Sequence, residues 1–266
     1  MRVQAVFSPE ALTSGALAGR IALVIDVLRA STTIATALAN GAQAIVPCGN
    51  PEEARARLAE MPPGEGLLGG ERRALRLAGF ALGNSPLEYT GERVGQRIIF
   101  YTTTNGTRAL LAAREAVEVG VAAFVNVTAA TRWARAAGRD LMIICAGDQG
   151  GFSMEDAACG GMVIERLHTM GLTLALDDAA RAASLLYRAS AARIPELLAE
   201  SKWGRRLREG GLGPDVVACG QIDRLDGVPV LTGDRIILAP PGPPRGAWRA
   251  RTPWAGELDN LPPPSP

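Results

Sequence analysis

Three short apolar runs in this chain each stop at a small, polar turn and restart as a helix. They are Ile21-Ala-Leu-Val-Ile25 before Asp-Val-Leu-Arg-Ala-Ser-Thr-Thr33, Ile98-Ile-Phe-Tyr101 before Thr-Thr-Thr-Asn-Gly-Thr-Arg108, and Leu141-Met-Ile-Ile-Cys145 before Ala-Gly-Asp-Gln-Gly-Gly-Phe-Ser-Met-Glu-Asp156. A strand with no polar face must be covered on both sides, and a helix that follows it directly is the usual cover. The pattern therefore predicts an α/β fold, layered, with a mostly parallel or mixed sheet and two lobes meeting in a cleft at the strand ends. In open α/β sheets ligands sit beyond the carboxyl ends of the strands, which is where these turns fall. Hydroxyls, helix-start N–H groups, arginines and acids at such corners suit a phosphorylated ligand and a hard metal ion.

The remaining segments fit around these units. Residues 1–20 read as an edge strand and a loop. A helix over 31–40 ends at Asn40-Gly41, a C-terminal signal, and a short strand follows at 44–47. Asn50-Pro51-Glu52-Glu53 has a capping residue, a first-position proline and an early acid, and opens a helix that stops before Pro62-Pro63. Residues 64–92 read mainly as a functional loop, with a short strand near 67–72. The second unit spans 97–118, followed by a strand over 122–126 and a helix to about 137. The third unit covers 140–170, with a helix through Cys159–Thr169. A helical region over 177–209 starts at Asp177-Asp178 and breaks near Ile194-Pro195. Residues 215–219 read as a late strand or helix edge, and 229–231 and 235–238 as short strands. The expected division is an N-terminal lobe 1–130, a C-terminal lobe 131–240 and a Pro-rich tail 241–266.

Composition removes several function classes. With 47% hydrophobic residues the chain can bury a proper core. A net charge of +1 and 5% aromatics give neither an electrostatic pull toward nucleic acid nor a base-stacking surface. No apolar stretch reaches the roughly 18 residues that span a bilayer. The N-terminus lacks a basic segment followed by a long apolar one, so a cytoplasmic location is expected. Cys48, Cys145, Cys159 and Cys219 form no CxxC pair, which fits reduced thiols. His168 is the only histidine, which excludes a His-rich metal site and any two-histidine mechanism. Neither a Gly-x-Gly-x-x-Gly turn nor a Walker A sequence is present, which weighs against dinucleotide enzymes and P-loop NTPases.

The corners carry the chemistry. Asp26 closes an otherwise apolar strand, where a carboxylate is costly unless it is paired or holds a cation. Arg29 offers a planar fork for phosphate, and Ser31 and Thr32 can bind phosphate oxygens. The structural alternative is an Asp26–Arg29 ion pair beside an ordinary helix cap. Thr103, Thr104, Asn105, Gly106 and Thr107 form a run of donors suited to an anion cradle, or else a plain Asn-Gly turn. Ser153 and Asp156 match a capping arrangement, while the adjacent acids Glu155 and Asp156 suit Mg²⁺, which takes one or two carboxylates and keeps its waters. Cys145, in an apolar strand, reads as an inert buried thiol. Glu71-Arg72 and Asn84-Ser85 sit at further glycine corners and could equally be a surface pair and a turn.

Taken together, Asp-Val-Leu-Arg-Ala-Ser-Thr-Thr at 26–33, Gly-Gly-Glu-Arg at 69–72, Gly-Phe-x-Leu-Gly-Asn-Ser-Pro at 79–86, Thr-Thr-Asn-Gly-Thr-Arg-Ala at 103–109 and Cys-Ala-Gly at 145–147 with Glu155-Asp156 resemble the 2-phosphosulfolactate phosphatase family. The resemblance is strong over about 20–165 and weak through 213–219 and 228–229. Where the family commonly has an acid in the 79–86 loop, this chain has Ala81. The resemblance implies an α/β, Mg²⁺-dependent phosphatase that converts 2-phospho-3-sulfolactate to 3-sulfolactate and phosphate, a step of coenzyme M biosynthesis. On that basis the expected catalytic residues are Asp26, Arg29 and Glu71. The expected Mg²⁺ ligands are Asp26, Glu155 and Asp156, with Glu71 a further candidate. The expected substrate-binding residues are Ser31, Thr32, Asn84, Ser85, Thr103, Thr104, Asn105, Gly106 and Thr107. The attacking group is either a metal-activated water or Asp26 itself. The expected partner is a small phosphorylated molecule, with no nucleic acid and no membrane, and a homo-oligomer is allowed. The competing class is a non-catalytic module that binds a phosphorylated or sulfonated metabolite in the same cradle.

Overall fold

A computed structural model describes residues 1–239, and the 241–266 tail lies outside the described residues. The first half runs β1 (Arg2–Val6), β2 (Ile21–Ile25), α1 (Ala30–Ala39), β3 (Ala44–Pro47), α2 (Pro51–Ala59), β4 (Gly66–Arg72), β5 (Leu75–Arg76), α3 (Gly91–Val94), β6 (Ile98–Thr102), α4 (Gly106–Ala112) and β7 (Glu118–Ala122). The second half runs α5 (Val127–Ala137), β8 (Leu141–Cys145), α6 (Met154–Thr169), β9 (Ala175–Leu176), α7 (Asp178–Ser190), α8 (Ile194–Glu200), α9 (Lys202–Glu209), α10 (Gly213–Cys219), β10 (Pro229–Thr232) and β11 (Arg235–Leu238).

The apolar runs are strands buried on both faces. Ile21, Leu23 and Ile25 of β2 pack with Ala130 and Ala134 of α5 and with Ala158 and Met162 of α6. Ala22 and Val24 face the other way, against Ile34 and Ala37 of α1 and Leu110 of α4. Each large aliphatic side chain removed from water this way contributes about 1.5–3 kcal/mol, which leaves no room for a polar residue before Asp26. The predicted caps form: Asn50 Oδ1 accepts from Glu53 N at 2.8 Å, Asp177 Oδ1 from Ala180 N at 2.8 Å, and Ser153 Oγ from Asp156 N at 3.3 Å.

All the strands join one mixed sheet in the order β5-β4-β6-β3-β11-β10-β7-β2-β8-β1-β9. Two parallel blocks, β4-β6-β3 and β7-β2-β8-β1-β9, are bridged by the antiparallel hairpin β10–β11. Strands from before and after residue 130 interleave, since β10 and β11 lie between β3 and β7 and β1 lies between β8 and β9. The pairing senses make the two blocks run oppositely, yet the ends of β2 and β6 meet. The accumulated twist must therefore fold the sheet over on itself.

Three expectations are corrected and one is narrowed. The strand expected over 122–126 lies at Glu118–Ala122, and 124–126 is a 3-10 turn, where Asn126 Oδ1 accepts from Ala123 N at 2.9 Å. The helix expected to run toward residue 118 ends at Ala112 and tightens into a 3-10 turn over 113–115. Of the two readings left open for 215–219 the strand is excluded, and residues 213–219 are helix, started by Pro214 in its first turn. β1 is not an edge strand, because the two-residue β9 pairs outside it. No helix among the described residues is long and apolar enough to cross a membrane.

Candidate active site

The ends of β2, β4 and β6 converge on a narrow pocket of about 20 Å³. It is lined by Asp26, Leu28, Arg29, Glu71, Ala74, Asn84, Thr104 and Asn105, with Trp203 and Leu207 contributed by α9. The volume corresponds to about one water molecule. Two glycines allow the convergence. Gly70 has φ 145°, and a Cβ there would lie 2.0 Å from the Thr102 carbonyl oxygen, so β4 can approach the end of β6 only without a side chain. A Cβ on Gly106 would lie 2.5 Å from Ala30 Cβ and 2.7 Å from Asp26 Oδ2, so the first turn of α4 rests directly on the Asp26 carboxylate.

Asp26 is buried at the end of β2. Its Oδ1 accepts from Ala30 N at 3.1 Å, while no protein donor meets Oδ2 among the described hydrogen bonds. Burial, then the charges of Glu71 and Glu155, push its carboxyl up to about 7 against a bond from Ala30 N and the charge of Arg29. Glu71 lines the same pocket and is held from both sides: Oε1 accepts from Thr104 N at 2.8 Å and Oε2 from Ala74 N at 2.7 Å. The surface-pair alternative for Glu71 fails, since Glu71 is 5% exposed and Arg72 binds the Glu71 carbonyl and the Thr102 hydroxyl instead.

Arg29 does not pair with Asp26. Its Nη1 donates to Asp215 Oδ2 at 2.5 Å and its Nη2 to the Ala74 carbonyl at 3.1 Å, with Arg29 and Asp215 both about 3% exposed. Ser85 donates to the other Asp215 oxygen at 2.7 Å. The hydroxyl of Ser85 and most of the inner edge of the Arg29 fork are thus already engaged. Asn84 is fixed differently. The Tyr101 hydroxyl donates to its Oδ1, and Thr33 Oγ1 donates to its carbonyl at 2.9 Å, which leaves the Asn84 NH₂ as a donor on the pocket wall. Burial pushes the Tyr101 hydroxyl well up, so it stays a donor.

The expected hydroxyl cradle is largely structural. Ser31 Oγ accepts from Asp26 N at 2.9 Å, and Thr32 Oγ1 donates to the Val27 carbonyl at 2.9 Å. Thr103 and Thr107 cap one another, Thr103 N donating to Thr107 Oγ1 at 2.8 Å and Thr107 N to Thr103 Oγ1 at 3.1 Å. Thr104 and Asn105 reach the pocket; the Thr104 hydroxyl is buried without a partner, and Asn105 Oδ1 accepts from Gln149 N at 3.3 Å. Ser31, Thr32, Ser85, Thr103, Gly106 and Thr107 do not line it.

The two acids of α6 part company. Asp156 accepts from Val27 N at 2.8 Å and Gly147 N at 3.2 Å, clamping the corners after β2 and β8 together. Burial and the neighbouring Asp26 and Glu155 push its carboxyl well up. Glu155, also pushed up by burial, lines a second and larger cleft with Asp148, Phe152, Lys202, Trp203 and Arg205. Cys145 is a buried thiol pushed well up by burial, and His168 lies exposed in the last turn of α6. Sequence reasoning missed Asp215, Trp203, Leu207 and Asp148. Asp215 gave one signal, an acid in the first turn of an otherwise apolar Gly-Pro segment.

Among the described residues no group of three or more His, Cys, Asp or Glu side chains is placed to hold a metal. The donor set at the pocket still suits one hard cation. It offers Asp26 with a donor-free oxygen and Glu71 beside it, with burial first and then the charges of Glu71 and Glu155 pushing the Asp26 carboxyl up to about 7. Mg²⁺ is satisfied by one or two carboxylates, with water and phosphate oxygens completing its shell.

The sequence profile described as 2-phosphosulpholactate phosphatase matches residues 6–234. A protein of Symbiobacterium thermophilum named "Probable 2-phosphosulfolactate phosphatase" is 43% identical over 222 residues, covering 84% of this chain and 95% of its own. Proteins of the same name from Gloeobacter violaceus and Clostridium botulinum are 39% and 35% identical, covering 90% and 89% of this chain and 98% and 99% of their own.

Proposed function

Since the chain belongs to the 2-phosphosulfolactate phosphatase family, we propose that this phosphoric monoester hydrolase acts on 2-phospho-3-sulfolactate, releasing 3-sulfolactate and phosphate with Mg²⁺ held at Asp26 and Glu71. The observation that carries the reading is the meeting of two carboxylates with the donors of Asn84, Thr104 and Asn105 and the Arg29 guanidinium at one buried pocket, drawn from four chain corners. Phosphoryl transfer needs charge neutralisation and in-line positioning more than covalent chemistry.

In this reading the Asn84 amide, the Asn105 amide and the Thr104 hydroxyl bind phosphoryl oxygens. Arg29, held in place by Asp215, supplies the fixed positive charge that lowers the cost of bringing a dianion beside Asp26 and Glu71. When bound, Mg²⁺ would neutralise the developing charge on the phosphoryl oxygens. In this reading the attacking group is a water held at the pocket rather than Asp26 itself. An acid-quenched turnover mixture is then expected to contain no phosphorylated Asp26 peptide by mass spectrometry.

Phosphate release from 2-phospho-3-sulfolactate, measured with Mg²⁺ and again with EDTA, tests the reading. Release that EDTA suppresses is expected. Tight binding of the ester without release would instead favour a non-catalytic binding module and end the enzyme assignment.

A further inference from the structure

Trp203 borders two spaces, the 20 Å³ pocket at the strand ends and a cleft of about 380 Å³. A phosphorylated sulfonated hydroxy acid carries two acid groups besides its phosphoryl, and these need donors or cations of their own. Among the described residues Arg29 is the one basic residue lining that pocket, and it is committed to Asp215 and the Ala74 carbonyl.

The cleft supplies what the pocket lacks. Lys202 and Arg205, one turn apart on α9, line it. Lys202 is the only lysine among 28 basic residues, and its side chain is 77% exposed with Nζ resting on Asp148 Oδ2. A compact ammonium on a flexible stem can turn toward an arriving anion, which a rigid guanidinium fork does less readily. One Nη of Arg205 donates to the Glu200 carbonyl, and the exposed side chain leaves the rest of its fork to solvent. The cleft also holds acids. Asp148 engages Lys202 with one oxygen and keeps the other buried without a partner, Glu155 is buried and pushed up by burial, and Glu200 is exposed. Asp148 therefore parks the amine at the cleft while it is empty. Phe152, Met154 and Trp203 give the cleft an apolar wall for the carbon chain.

We propose that the cleft beside Trp203 is the subsite for the acid end of the substrate, with Lys202 and Arg205 as the cations that recognise its sulfonate or carboxylate. The proposal rests on the phosphatase reading for the identity of the ligand, but its test needs no turnover. Calorimetric titration of the full chain in Mg²⁺ buffer with 3-sulfolactate, and separately with inorganic phosphate, compares wild type with Lys202→Met/Arg205→Met. Both side chains are exposed, so the double variant should fold, and its thermal midpoint verifies this. The expected result is affinity for 3-sulfolactate weakened by about tenfold or more, with affinity for phosphate kept within about twofold. Lys202→Arg, which keeps the charge, should lose less. Equal weakening for both ligands, no weakening for either, or no binding of 3-sulfolactate by wild type overturns the proposal. If phosphate release from 2-phospho-3-sulfolactate fails while the titration succeeds, the catalytic reading falls and the subsite stands.

Discussion

In the strand-end pocket the side chains that face the ligand space also hold the fold together. Glu71 ties the turn after β4 to the corner after β6, and Arg29 ties the corner after β2 to α10. The cleft, which Trp203 also borders, keeps its cations on exposed stems of one helix, where Lys202 and Arg205 touch the fold through single contacts. The same kinds of group therefore have different costs in the two places. A charge buried at the pocket must be compensated by named partners, whereas the two cations at the cleft are solvated and can move. Rigid charge suits a reaction that needs fixed geometry, and mobile charge suits recognition of a ligand's far end.

The sharpest test of this contrast is Asp26→Asn. On the reading above it should lower kcat by about a thousandfold or more while leaving the circular dichroism spectrum and thermal midpoint near wild type, because the change removes a charge that burial disfavours. Near-normal turnover in this variant would remove Asp26 from the chemistry. Next in size is Asp215→Ala, which leaves Arg29 buried without its counter-charge. That should cost about 3–5 kcal/mol and lower the thermal midpoint by on the order of 10 °C. A loss below about 1 kcal/mol in chemical denaturation would mean that the pair is not desolvated as described.

A smaller effect separates the two sides by pH. The Asp26 carboxyl lies at about 7 in the folded chain against an ordinary 3.8, and Asp156 is raised in the same sense. Both bind protons more tightly when folded; the Asp26 contribution to stability is fully present below about pH 4 and is lost as pH rises through about 7, and Asp156 acts in the same direction. The metal-free thermal midpoint should fall from pH 5 to pH 8, and added Mg²⁺ should restore more of it at pH 8 than at pH 5. A midpoint flat across this range would contradict the buried acid field. Smallest of all is the stability effect of Lys202→Met. The Lys202 amine is solvated, but its loss leaves the buried Asp148 carboxylate without a side-chain partner, so the denaturation free energy should fall by about 1–2 kcal/mol. A loss matching that of Asp215→Ala would erase the distinction between the two regions.

Much of the fold was legible because its signals are local. The doubly buried strands, the Asn50, Ser153 and Asp177 caps and the helix stop at Asn40-Gly41 depend on residues a few positions apart. The corners at Asp26, Glu71, Asn84, Thr104 and Asn105 were readable as polar breaks at apolar strand ends, and they do share one pocket. The roles assigned to Arg29, Ser31, Thr32 and Asp156 were harder to read. A hydroxyl or carboxylate at a corner looks the same in sequence whether it faces a ligand or a backbone N–H, and here those groups meet protein partners.

By itself, then, the order of residues determined the strand–corner–helix units, because backbone preference and burial periodicity are written within each segment. The tertiary structure decided the rest. It set the interleaved strand order, the β10–β11 bridge between two parallel blocks, the pairing of Arg29 with an acid 186 positions away, and the place of Trp203 at the edge of both pocket and cleft. Contacts of that separation come from how whole faces pack and how a long sheet twists, and no local pattern encodes them.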